Sequence, residues 1–129
     1  MKHKPKFEGA LILEDVDGHE WIVHDPIKYF CSDGDTVTIP FGFRTDLASI
    51  PRLFWRLFKP TGRYDKAAVI HDKLYRTHWT DTKEITREYA DWTFLEAMQV
   101  CGCWWITRNA MWTAVRVGGV FTWSDMDKK

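Results

Sequence analysis

The chain has 129 residues, 45% hydrophobic and 28% charged, a composition that folds around a core and excludes a disordered or low-complexity protein. Eighteen Lys and Arg balance eighteen Asp and Glu, so no global field favours nucleic acid or an anionic membrane. The length predicts one domain over residues 1–129, burying roughly two-thirds of its unfolded surface.

The opening "MKHKPKFEG" is polar and leads into no apolar core, so no signal peptide is expected. No apolar run reaches the roughly eighteen residues that would span a membrane. Residues 1–50 read as mainly β. "ALILED" (10–15), "HEWIVHD" (19–25) and "DTVTIP" (35–40) are short β-rich runs parted by the Asp/Gly turns "DVDG" and "CSDGD", which predicts a small antiparallel sheet. In "IPFGFRTDLASIPR" (39–52), Gly42 suggests a backbone position that a side chain would block. Asp46, with Ser49 and Pro51 after it, suits an Asx-turn or helix cap. The alternative is a carboxylate offered from a loop towards a pocket, with Thr45 and Ser49 beside it.

From Pro51 the period changes, and residues 51–119 read as mainly α. "PRLFWRLF" (51–58) is a short amphipathic helix opening on proline. "TGRYDKAAVIHDKLYRT" (61–77) is longer. "DTKEITREYADWTFLEAMQVCG" (81–102) opens with a capping-box pattern, Asp81 and Glu84, and closes on Gly102. "WWITRNAMWTAVRVGG" (104–119) is expected to stop at Gly118-Gly119. Residues 120–129 form a tail that docks by Phe121 and Trp123 or frays. The expected fold is α+β: a small N-terminal antiparallel sheet followed by three to four helices.

The three cysteines make no disulfide framework, which fits synthesis in a reducing compartment. Aromatics reach 16%, with eight Trp and eight Phe. They fill the core of a small domain or present a surface to a protein, glycan or lipid.

His71 and Asp72 interrupt the apolar run "AAVI", and Tyr75 follows one turn later. The link "HWTD" is short, so the helices on either side are expected to lie antiparallel. His71 lies about two turns before that link and Asp91, in "YADWTF", about two and a half turns after it, nearly level across the pair. His71 and Tyr75 share a face at i,i+4, with Asp72 turned aside. In one reading Asp91 accepts from His71 and Tyr75 and ties two helices together. In the other, His71 is held by Asp91 as a general base on water, while Asp72 is placed to ligate a cation. His3, His19, His24 and His78 read as surface or turn residues.

Four blocks occur in order: "GFRTDLASIP" (42–51), "AAVIHDKLY" (67–75), "ADWTF" (90–94) and "AVRVGG" (114–119). Together they resemble a domain family of unknown function, numbered 1353, found in tailed phages and prophages. That resemblance implies phage origin, synthesis in the host cytoplasm and a place near structural or lysis genes.

The helix pair also looks like that of the small secreted phospholipases A-two. Carried over, the likeness implies His71 as base, Tyr75 as supporting hydroxyl, Asp91 as orienting acid and Asp72 as calcium ligand. Those enzymes complete the calcium site with a glycine-rich loop, where this chain has only "KPTGRYD" (59–65) and Gly62. Zinc or another smaller ion on His71 with Asp46, Asp72 or Asp91 is the alternative. Three functions stay open: a metal-assisted hydrolase of a lipid or cell-envelope substrate; a non-enzymatic virion, tail or neck protein bound to other virion proteins, whose His-Asp network is structural; and a host-interaction factor with a Trp-rich face.

Overall fold

The computed structural model describes residues 3–16, 20–45 and 64–127. Among these, six strands precede three helices: β1 (Lys6–Glu8), β2 (Leu13–Asp15), β3 (Trp21–Val23), β4 (Ile27–Phe30), β5 (Thr36–Ile39), β6 (Arg44–Thr45), α1 (Asp65–Thr77), α2 (Arg87–Val100) and α3 (Trp105–Asp127). The fold is α+β. Two antiparallel sheets of three strands replace the one expected, in the orders β1-β4-β5 and β2-β3-β6.

The β4–β5 hairpin supplies the inner face. Ile27 pairs with Ile39 and Tyr29 with Val37, and all four are buried, the period-two pattern of a half-buried strand pair. Phe7 of β1 sits opposite Tyr29, with ring centroids 4.7 Å apart. At the turn Gly34 takes φ +94°, and Asp35 N–H donates to Asp33 Oδ1 at 2.9 Å, the Asx chemistry that "CSDGD" announces. Gly42 has φ +86° with open space where a Cβ would stand. Its glycine answers a backbone angle, then, rather than the close contact expected.

α1 is buried on most of its surface: Ala67, Ala68, Val69, Ile70, Leu74 and Tyr75 join the core, with His71 and Asp72 between them. Helices so enclosed lie at the centre of a domain. α1 ends at His78, which takes φ +61° and donates its N–H to Leu74 O, a left-handed cap of the kind glycine usually makes.

The sequence expectation placed the next helix at Asp81. It begins instead at Arg87, capped by Thr86, whose side chain accepts from Tyr89 N–H at 3.1 Å. Tertiary partners outcompete the local cap. Asp81 accepts from the hydroxyls of Thr36 and Thr38, both at 2.7 Å, and from Thr38 N–H at 3.0 Å. The link therefore folds onto β5, and Trp79 and Glu84 bridge across it.

α2 closes on Gly102 at φ +78°, with Cys103 N–H reaching back to Met98 O at 3.0 Å, a Schellman-type end as expected. α3 does not stop at Gly118-Gly119 but runs to Asp127, so residues 120–127 of the expected tail are the last part of a helix. Helix 51–58 and the start of the helix expected from 61 lie outside the described residues. Among the described residues no helix is long and apolar enough to cross a membrane.

Candidate functional site

α1 and α2 run antiparallel: Ala67 lies beside Cys101, His71 beside Asp91 and Tyr75 beside Arg87. This order brings together the three residues expected to meet. Asp91 Oδ1 accepts from His71 Nε2 at 2.7 Å and from the Tyr75 hydroxyl at 2.7 Å. All three side chains are fully buried. The His71 ring packs between Tyr75 and Phe94, at centroid distances of 4.3 and 4.5 Å.

The other carboxylate oxygen meets two arginines that the sequence reading did not place in the site. Asp91 Oδ2 accepts from Arg116 Nη1 of α3 at 2.8 Å and from Arg87 Nη1 at 3.4 Å. Arg87 Nη1 also donates to Val115 O and Arg116 O at 3.3 and 3.1 Å, so α3 is fixed to α2 at this level. One signal was available in the sequence: Arg87 stands at i−4 from Asp91. For Arg116 nothing local points to Asp91.

The guanidinium pair keeps Asp91 an acceptor at both oxygens, which assigns the His71 proton to Nε2. Burial pushes the His71 pKa down; the hydrogen bond and charge of Asp91 oppose this, and the charge of Arg87 adds to it. The imidazole is neutral at pH 7 and lacks its proton on Nδ1. Burial and the bond to Asp91 push the Tyr75 hydroxyl well above its ordinary range, so it donates and does not ionise.

Gly119 explains the glycine pair inside α3. A Cβ there would run into the Tyr75 hydroxyl and come within 3.1 Å of Cε2 and Cζ, whereas one on Gly118 would meet nothing. Trp123, one turn further on, touches Tyr75 edge-on at 5.1 Å and stacks on His78 at 3.6 Å. Trp123 thus docks as expected, although within a helix, while the Phe121 side chain lies outside those described; His78 is a buried cap and not a surface residue.

Asp72 turns away from Asp91. Its Oδ2 accepts from the Thr45 hydroxyl of β6 at 2.7 Å and from Arg76 Nε at 3.2 Å, so the "RTD" block does reach the helix pair through Thr45. Asp46 and Ser49 lie outside the described residues. Calcium takes six to eight oxygens. Among the described residues Asp72 and the Thr45 hydroxyl do not make up that number, and the Arg76 guanidinium already sets a positive charge against the Asp72 carboxylate. Among the described residues no group of three or more His, Cys, Asp or Glu side chains is arranged for a metal ion. These residues do not by themselves make a calcium or zinc site.

A second buried carboxylate, Glu96 of α2, fastens the helices to the sheet. It accepts from the Tyr29 hydroxyl at 2.6 Å, from Ser32 N–H at 3.2 Å and from the Ser32 hydroxyl. Burial and the bond to Glu96 push the Tyr29 hydroxyl well above its ordinary range, so Tyr29 stays a neutral donor and the contact reads as a fastening of the fold.

No curated protein and no solved structure matches the chain. A family model described as "Protein of unknown function (DUF1353)" matches residues 21–115, a span that holds Thr45, His71, Asp72, Tyr75, Asp91 and Arg87 and ends just short of Arg116. With well over half its length matched, the chain belongs to the DUF1353 family of proteins of unknown function.

Proposed function

We propose that this chain, of phage or prophage origin, is a hydrolase of ester bonds in a lipid or cell-envelope substrate, with His71 as its general base. The observation that carries the reading is the neutral His71 ring held through Nε2 by an acceptor-only carboxylate that Tyr75 also braces. A base needs to be neutral at working pH, fixed in one tautomer and backed by a group that stabilises its protonated form. In this mechanism His71 Nδ1 takes a proton from water as the water oxygen bonds to the acyl carbon. The same proton then passes to the leaving oxygen as the ester C–O bond breaks. Asp91 holds the ring and offsets the charge it gains, and Tyr75 fixes Asp91. Asp72 and Thr45 shape the neighbouring wall, and no step is routed through a metal ion.

A second reading has an observation of its own. His71 and Asp91 have no exposed surface, and four donors saturate Asp91. That suits a virion, tail or neck component whose network fastens α1, α2 and α3. The experiment is hydrolysis of short- and long-chain p-nitrophenyl esters and of phospholipid vesicles, with calcium or chelator, by wild type, His71→Ala and His71→Asn. Turnover that both variants lose, with circular dichroism unchanged, supports the hydrolase. Absence of turnover on every substrate, with both variants merely less stable, supports the structural component.

A further inference from the structure

Arg87 and Arg116 bring more positive charge to Asp91 than it can balance. Both guanidiniums set Nη1 on one oxygen, Asp91 Oδ2. Among the described residues no other carboxylate pairs with either, so two positive charges share one negative. Arg87 Nη1 also reaches Val115 O and Arg116 O. The Arg116 guanidinium has no acceptor besides Asp91 among the described residues, which leaves most of its N–H groups unspent. Asp91 has no exposed surface, whereas Arg87 and Arg116 keep 21% and 27% of their side chains exposed. The acid is sealed and the cations reach solvent, an arrangement that draws anions in.

A neutral donor stands beside them. Trp112 lies one turn before Arg116 on the same face of α3. Helical side chains lean towards the N-terminus, so the Arg116 stem runs over the Trp112 turn. Trp112 Nε1 is buried and meets no acceptor among the described residues. A buried N–H left unpaired is costly and rare, and an acceptor held at Arg116 would satisfy it. Arg108, one turn further back, donates instead to Cys103 O at 3.1 Å.

We propose that Arg87, Arg116 and Trp112 bind a phosphate group, free or at the head of an ester, at a site separate from the Nδ1 side of His71. Asp91 divides the two: its Oδ1 takes His71 and Tyr75, and its Oδ2 takes the arginines. Guanidinium N–H groups fork onto phosphate oxygens in charge-assisted bonds. A tetrahedral phosphate offers oxygens in several directions, which suits donors from two helices and an indole better than a flat carboxylate does. Its charge also offsets the excess that the arginines leave over Asp91. The inference stands apart from the hydrolase reading, because binding is read without turnover.

Calorimetric titration of the whole chain with inorganic phosphate and with glycerol 3-phosphate, at low salt, tests it. A dissociation constant of about 1 mM or tighter is expected. Arg116→Gln is expected to weaken binding at least about tenfold, and Trp112→Phe, which keeps the packing and removes the donor, about three- to tenfold. Because Arg116→Gln also loosens Asp91, Arg116→Lys provides a second test: it keeps the charge, loses the fork and should weaken binding at least about threefold. Arg108→Gln removes the same charge from the neighbouring turn and should change affinity less than about twofold. Circular dichroism checks that each variant is folded. Co-sedimentation with phosphatidylglycerol vesicles, lost in Arg116→Gln, would name a lipid head group as the source; binding of the soluble probes alone would name a free phosphate. No saturable heat with either soluble probe up to about 20 mM would overturn the proposal. So would wild-type affinity in folded Arg116→Gln or Trp112→Phe, or a loss in Arg108→Gln as large as in Arg116→Gln.

Discussion

Gly118 and Gly119 are adjacent in one helix, yet alanine is expected to act on them in opposite directions. Glycine inside a helix is less favourable than alanine by about 0.5–1 kcal/mol. At Gly118 an added Cβ meets nothing within 4 Å, so Gly118→Ala gains that amount. At Gly119 the same methyl lands on the Tyr75 hydroxyl, on a ring fully buried between His71 and Trp123. Tyr75 has nowhere to retreat without stretching its 2.7 Å bond to Asp91. Overpacking costs about 1–3 kcal/mol, and losing a hydrogen bond to a charged acceptor about 1.5–3 kcal/mol. Stretching the bond relieves part of the overpacking, so the two costs do not add in full, and after the helix gain a net loss of about 2–4 kcal/mol is expected.

Thermal and urea unfolding measure both variants. At about 3–5 °C per kcal/mol for a chain of this size, Gly118→Ala should raise Tm by a few degrees and Gly119→Ala lower it by about 8–15 °C. Tyr75→Phe combined with Gly119→Ala should recover part of that loss, because the clash centres on the hydroxyl oxygen. If Gly119→Ala matches wild type, or the two glycines respond alike, the contact between α3 and Tyr75 is wrong and the site geometry falls with it.

Further outcomes follow from the same network. The His71 pKa is lowered by burial from its ordinary 6.5, so the unfolded chain takes up the proton first. Stability is then fully present above about pH 6.5 and declines as the pH falls through 6.5 towards the folded value; His71→Gln should flatten that decline. Nitrogen-detected NMR should show the Nε2–H tautomer at pH 7, and an Nδ1–H or doubly protonated ring would refute the assignment. Arg116→Gln removes the 2.8 Å bond to Asp91 and should lower stability by about 1.5–3 kcal/mol, measured by urea unfolding, with faster amide exchange in α3. Glu96→Ala strands the Tyr29 hydroxyl and Ser32 and should cost about 2–3 kcal/mol, while hydrogen exchange at the His71 level of α1 stays close to wild type.

The parts of this molecule legible in the sequence are those where one local rule meets no competitor. His71, Tyr75 and Asp91 could be aligned because i,i+4 spacing and antiparallel pairing both survive small errors in where a helix starts. The start itself was misplaced: Asp81 has the chemistry of a cap, but Thr36 and Thr38 lie forty-odd residues away and claim it. Gly118-Gly119 reads as a stop because glycine ends helices when it takes positive φ. Here neither does so, and the reason for Gly119 is a tyrosine on another helix. β4 was hidden because "PIKYF" opens on a proline that also fits a turn, and β1 and β6 are too short to show a period. Arg116 reaches Asp91 only through the packing of α3 on α2, which no spacing along the chain encodes.

The charges around His71 also constrain how it can work. Asp91 contributes one negative charge and Arg87 and Arg116 two positive ones, so with His71 neutral the cluster already carries an excess positive charge. Protonating His71 would add another in a buried site, where such charges repel strongly. The ring therefore holds a proton readily only when a negative charge arrives beside it. Ester hydrolysis supplies that charge, first as the oxyanion of the tetrahedral intermediate and then as the carboxylate product. In a purely structural network the same excess has a simpler result, a histidine that is neutral at pH 7. The free protein thus looks alike in both readings, with a neutral Nε2–H ring at pH 7. They part only when an anion is present, since the hydrolase needs the proton uptake of His71 to follow the anion and the structural network leaves the ring neutral throughout.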